Sequence, residues 1–314
     1  MKLNPKQFLD PPPQYTSFRN AAAAILPIPY EGGVSYGTGT AGGPDAVLEA
    51  SRHLELYDDV LKAEPYRMGI STVMSPEHFS DADQMNAAVF EITKNLIAQN
   101  KFVVMMGGDH SISSASLRAL CEKYNTISVI QLDAHADLRD SYEGSPHSHA
   151  CAMSRIRELT ASTLQIGIRS LSRQEAGRIE RENLAVCTMA AFRSGAFDVQ
   201  AALNVLADPV YLTVDVDVFD WSVVRSTGTP EPGMKASSAR PSGFGRARSG
   251  MLRTGMVDQR FDHISSGASP ATSPTRRPRR PRASGCTARR SSRSPVPTTR
   301  SLARCSTATS TGWR

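Results

Sequence analysis

Residues 127–137, ISVIQLDAHAD, constrain this chain more than any other stretch. Ile127, Val129, Ile130 and Leu132 form a nearly continuous apolar run, the pattern of a strand covered on both faces. Asp133, His135 and Asp137 then follow at i, i+2 and i+4, a spacing that sends all three side chains to one side of an extended backbone. Two carboxylates and an imidazole crowded at one strand end repel or desolvate one another unless a cation sits among them. Carboxylate oxygen and imidazole nitrogen suit manganese, zinc or iron. A solvated acidic loop is the plainer reading of this stretch taken alone.

Two further stretches weigh against the plain reading. Residues 210–220, VYLTVDVDVFD, alternate Val214, Val216 and Val218 with Asp215 and Asp217, so the valines are expected on one face and the carboxylates on the other. A buried-type strand ending in two carboxylates calls for a metal or a basic partner. Residues 105–110, MMGGDH, close the apolar run 102–106 with a glycine pair that permits a sharp turn and presents His110. Three strands ending in ligand-type side chains predict one site at the carboxyl ends of a parallel sheet. The candidate ligands are His110, Asp133, His135, Asp137, Asp215 and Asp217. Four carboxylates and two imidazoles exceed one tetrahedral zinc site and suit two divalent ions sharing carboxylates and a water.

GGDH, DAHAD and TVDVDVFD, in this order, resemble the ureohydrolase family of arginases and agmatinases, which use two manganese ions. The loop DLRDSYEGSPHSHACAMSRI, the early PYEGGVSYGTGTAGGPDAVLEAS and the later GTPEPG resemble the bacterial agmatinase branch. The resemblance covers about residues 15–233. It implies a three-layer arginase-like α/β fold, with a central parallel sheet and helices on both faces. It also implies two Mn2+ per subunit on the six ligands. The implied reaction is hydrolysis of a linear guanidine, agmatine and water giving putrescine and urea, by attack of a metal-bridging hydroxide on the guanidinium carbon. In that reaction Asp137 would hold the hydroxide's proton. His149 matches the family histidine proposed to carry a proton to the departing amine, whereas His147 lacks such a match and is expected at the surface. Other guanidino or formimino substrates, a metal-binding but inactive product, and a single-metal deacetylase of related fold are the alternatives. Family members form trimers or hexamers.

The chain has a net charge of +6, which invites a nucleic-acid reading until the charge is located. Residues 234–314 hold 17 basic and two acidic residues, leaving 19 basic and 28 acidic in the first 233. The basicity therefore belongs to the tail, and the expected partner is a small guanidine rather than nucleic acid. Five widely spaced cysteines without CxxC fit a reducing compartment, and the N-terminal residues lack the apolar core of a signal peptide. The run 21–28 is too short to span a bilayer. A cytoplasmic location without membrane contact is expected.

Residues 1–20 read as a surface arm. Strands are expected at 21–29, 102–106, 163–168 and 184–187, besides the two acidic ones. Helices are expected at 46–53, 80–99, 111–124, 150–159, 172–182 and 196–207. The Gly-rich loop 32–43 has neither GxxxxGK[ST] nor GxGxxG, so phosphate binding is set aside. After Gly233 the texture changes: only five Ile, Leu or Val occur in residues 234–314, among Arg, Ser, Pro, Thr, Ala and Gly. The expected division is an incomplete domain at 1–233 and a disordered basic tail at 234–314. A natural basic tail and a reading-frame shift near Gly233 are the two readings, and the abrupt end of the resemblance favours the shift. On that reading the fold is truncated at its C-terminus. It lacks its last strands and the late carboxylate that engages the guanidinium, and a sheet edge is left exposed.

Overall fold

The computed structural model describes residues 1–233, so the expectations for residues 234–314 lie outside the described residues. The first strand, β1 (Ala23–Ile28), is buried at every position. After it come α1 (Gly43–Ser51), β2 (Ile70–Thr72), α2 (Ala82–Ala98), β3 (Phe102–Gly107) and α3 (Ser113–Cys121). Strand β1 lies between β2 and β3 and runs parallel to both. Helix α2 starts where Asp81 accepts the Gln84 N–H at 2.8 Å, and its apolar stripe of Met85, Val89 and Leu96 packs on Ala24, Leu26 and Ile28.

The second half adds β4 (Ser128–Leu132), α4 (Ala152–Arg157), β5 (Thr163–Ile168), α5 (Arg173–Glu182), β6 (Ala185–Thr188), α6 (Met189–Ser194), α7 (Val199–Asn204) and β7 (Val210–Val214). These strands form a parallel sheet in the order β6-β5-β4-β7. Val129 and Ile168 pack with Leu117, Met153 and Ile156 of α3 and α4, while Ile130, Leu164 and Ile166 pack with Phe192 and Leu203 of α6 and α7. Helices thus cover both faces, as the apolar runs require.

The expected α/β class with parallel strands is observed, with three differences. Among the described residues the strands form a three-stranded and a four-stranded sheet, because there β3 pairs only with β1 and β7 only with β4. Two short elements, β2 and α6, were not expected: three and six residues are too few to establish a period. Helix α7 is shorter than the 196–207 expectation, because the Asp198 side chain accepts the Ala201 N–H and fixes its start. The N-terminal arm docks, as expected, through the backbone bridge of Leu3 with Val73. Among the described residues the cysteines are free thiols, and no helix is long and apolar enough to cross a membrane.

Candidate metal centre

Strand β4 stops at Leu132, and the turn after it is held by side chains rather than by a sheet ladder. The Asp133 carboxylate accepts the His135 N–H at 2.7 Å and the Gln131 side-chain amide at 2.7 Å. Gln165 donates to the Ala136 carbonyl at 2.8 Å, and the Ala134 N–H reaches Asp217 at 3.1 Å. Asp137 adopts φ 51°, in the left-handed region. The extended spacing read from the sequence is therefore not realised. The three side chains converge because the backbone turns.

The DxD stretch needs the same correction. Strand β7 ends at Val214, and Val216–Val218 form a 3-10 turn capped by Asp215, whose carboxylate accepts the Asp217 N–H at 3.0 Å. The valines do not share a face: Val214 and Val216 are exposed, while Val218 is buried. Local side-chain to backbone bonds outcompete strand continuation here.

His110 stands on the turn after β3. Gly108 is confined because a Cβ there would fall 1.9 Å from the Tyr30 carbonyl oxygen. The Asp109 carboxylate then accepts N–H groups from Ser111 and Gly33, both at 2.9 Å, and fixes the turn.

The six candidate ligands meet in one cluster, buried at His110, Asp133, Asp137 and Asp217 and half-buried at His135 and Asp215. His110 Nδ1 lies 2.8 Å from Asp137, 3.0 Å from Asp133 and 3.8 Å from Asp215. His135 Nδ1 lies 2.9 Å from Asp217 and 3.7 Å from Asp133. Two triads result, His110–Asp133–Asp137 and Asp133–His135–Asp217, each with its ligand atoms within 4.8 Å of one another. Asp133 belongs to both. Two triads sharing a carboxylate suit two neighbouring cations of the manganese, zinc or iron type.

The charges conflict without such cations. Burial and then the Asp133 charge push the Asp137 carboxyl up to about 6. Burial, Asp133 and Asp217 push Asp215 well above its ordinary value. Burial favours neutral imidazole, yet the bonds to Asp133 and Asp137 win and raise His110 well above its ordinary value. His135 behaves alike, raised to about 11 against burial by Asp133 and Asp217. Burial would raise Asp133 too, but His110 and His135 hold it well below the usual carboxylate range. Protons on the imidazoles occupy the role that cations would take.

His149 lies apart from the six. Its Nδ1 donates to the Gly33 carbonyl, its Nε2 is 3.3 Å from Ser35 Oγ, and its ring stands edge-on to Tyr142. Among the described residues no hydrogen bond or ion pair joins His149 to a ligand; the link runs through Gly33, whose N–H bonds Asp109 beside His110. His147 sits at the surface as expected, 3.7 Å from Asp83.

Two residues, Arg169 and Thr229, escaped the sequence reading. Arg169, at the end of β5, donates to the carbonyls of Asp217 at 2.7 Å, Val218 at 3.2 Å, Glu231 at 2.8 Å and Pro232 at 3.1 Å. It ties the turn that carries Asp217 to the 228–233 loop. Thr229 of that loop donates to Asp217 at 3.1 Å, and Glu231 lies 3.5 Å from His135 Nε2. The signal available was an arginine closing an otherwise apolar strand.

Comparison with known proteins places these features. The model of the Arginase family matches residues 21–238. The N(1)-aminopropylagmatine ureohydrolase of Synechocystis sp. is 39% identical over 237 residues, 73% of this chain and 77% of that protein. The agmatinase of Pyrococcus horikoshii is 33% identical over 218 residues, 68% of this chain and 75% of its own. The crystal structure of the agmatine ureohydrolase of Thermoplasma volcanium superposes with a TM-score of 0.67 at 26% identity, covering 75% of this chain and 80% of the other.

Proposed function

The chain belongs to the arginase family, and from that premise we propose that it is a manganese-dependent hydrolase of a linear guanidine, agmatine being cleaved to putrescine and urea. The single observation that carries this reading is Asp133 shared between two three-residue ligand groups. Two bound divalent cations would supply Lewis acidity and a water acidic enough to attack at neutral pH.

The chain's own residues supply the rest. His110, Asp133, His135, Asp137, Asp215 and Asp217 hold the cations. Asp137 would take the proton of the attacking water. His149 donates through Nδ1 to Gly33, which leaves Nε2 as the atom that passes a proton to the departing amine. Arg169 and Thr229 keep Asp217 aimed at its site. The partner is a small cationic guanidine, and the net negative charge of the first 233 residues weighs against nucleic acid. A domain limit near Gly233 and a cytoplasmic location complete the reading.

A second substrate, N(1)-aminopropylagmatine, is favoured by the 39% identity with the Synechocystis enzyme. It carries the same guanidinium on a longer cationic tail. The test is urea release from both substrates by the purified, manganese-loaded full chain, with Asp133→Asn as control. A higher kcat/KM on the longer amine selects the second substrate. Manganese binding without urea from any guanidine overturns the hydrolase and leaves an inactive metal-binding product.

A further inference from the structure

The two imidazoles of the cluster are held alike on one edge and differently on the other. Each turns Nδ1 to the carboxylates: His110 to Asp133 and Asp137, His135 to Asp217 and Asp133. Each therefore presents Nε2 away from the ligand group to which it belongs. His110 Nε2 lies 2.9 Å from the Thr213 hydroxyl, which also meets Ser113 Oγ at 3.0 Å. His135 Nε2 lies 3.5 Å from the Glu231 carboxylate. One ring is backed by a neutral hydroxyl and the other by a charge.

The backbone that carries Glu231 is fixed along its length. The Gly37 N–H reaches the Gly228 carbonyl at 3.0 Å, and Thr229 donates to Asp217 at 3.1 Å. Arg169 holds the Glu231 and Pro232 carbonyls, and the Gly233 N–H donates to Asp220 at 2.7 Å. Such pinning lowers the entropy lost when the side chain settles on one partner. Among the described residues no hydrogen bond reaches the Glu231 carboxylate, and its one ion-pair partner is His135. Glu231 also belongs to neither three-residue ligand group. It sits at the opposite edge of the imidazole from Nδ1, so it cannot share a cation with that atom.

We propose that Glu231 is a positioning residue of the metal centre, whose carboxylate accepts the His135 Nε2–H and keeps Nδ1 turned to the cation of the Asp133–His135–Asp217 group. A carboxylate behind a ligating histidine fixes its tautomer and ring orientation and strengthens it as a donor. Glu231 acts on this group alone, because His110 draws its outer partner from β7. The inference rests on the two-cation reading given above, and its readout is metal binding rather than urea.

The test is manganese titration of the full chain by calorimetry, in competition with a chelator so that both affinities are read. Glu231→Ala is expected to weaken one of the two affinities about 10–100-fold and to leave the other unchanged. Glu231→Gln keeps a neutral acceptor at the same reach, worth about half of a charged one, so its loss is about 3–10-fold. Thr213→Val removes the hydroxyl behind His110 and is expected to weaken the other affinity. Loss at both sites or at neither with Glu231→Ala overturns the proposal. So does a glutamine variant as weak as the alanine one, which would mark Glu231 as a charge near the cations and no more. Glu231→Ala and Thr213→Val acting on the same affinity also overturns it. An unaltered chain that binds fewer than two manganese ions overturns the inference and the two-cation reading together. Two ions bound without urea from any guanidine overturns the hydrolase alone.

Discussion

The ligand cluster and the cavity between β3 and β7 share strand β7 and are opposite in what they lack. At the carboxyl end of β7, Asp215 and Asp217 add charge to a cluster already rich in carboxylates, countered among the described residues by the imidazoles of His110 and His135 and by Arg169. Along its length, β7 offers uncharged apolar surface and backbone groups without a ladder partner. The first deficit is of counter-charge and the second of a backbone partner. The two meet at one strand and differ in kind.

The largest break in that contrast comes from Asp133→Asn. One carboxylate serves both triads, so manganese binding falls by more than the roughly 10–100-fold of an outer-shell change, measured by calorimetric titration. In metal-free protein the same variant leaves two raised imidazoles without their common counter-charge. Unfolding in urea is expected to show a loss of about 3–5 kcal/mol.

The second effect is a pair of opposed pH slopes. Cations must displace the protons of His110 and His135, so manganese affinity rises with pH, about tenfold per unit for each proton released. The metal-free fold behaves oppositely. A histidine raised on folding stabilises fully below its unfolded value, about 6.5, and that contribution is lost as pH rises through the folded value, about 11 for His135. Titrations in buffers of different ionisation heat count the protons. A flat affinity profile would falsify the protonated-imidazole account.

Smaller effects sharpen the boundary. Arg169→Met frees the Asp217 turn and the 228–233 loop, and manganese affinity should drop by about 10–100-fold with little change in the exchange of β3. Ser172→Ala removes the α5 cap, where the serine hydroxyl accepts the Glu175 N–H and the Glu175 carboxylate accepts both Ser172 and Leu138 N–H groups. Thermal unfolding should register about 1 kcal/mol, with metal affinity unchanged.

The sequence disclosed strands and ligands for different reasons. Buried strands such as Thr163–Ile168 announce themselves by apolar runs, and DAHAD and DVD by charge placed where burial is expected. Those patterns picked out the residues that cluster while misjudging how they converge. Period-2 reasoning presumes that a strand continues, and Asp133 and Asp215 instead bond their own backbone two residues on. Arg169 was illegible as a positioning residue because its partners are carbonyls 48 to 63 positions away, and carbonyls carry no sequence identity. The sheet edges were legible only in part: an exposed edge was expected, but not two edges facing one cavity.

Strand β1 lies between β2 and β3, and all three come from the first 107 residues. The Tyr30 carbonyl that confines Gly108 comes just after β1. During synthesis from the N-terminus, the His110 turn can therefore be set before Asp215 and Asp217 leave the ribosome. Order of emergence then becomes a property of the cluster: its first member waits, correctly aimed, for its last.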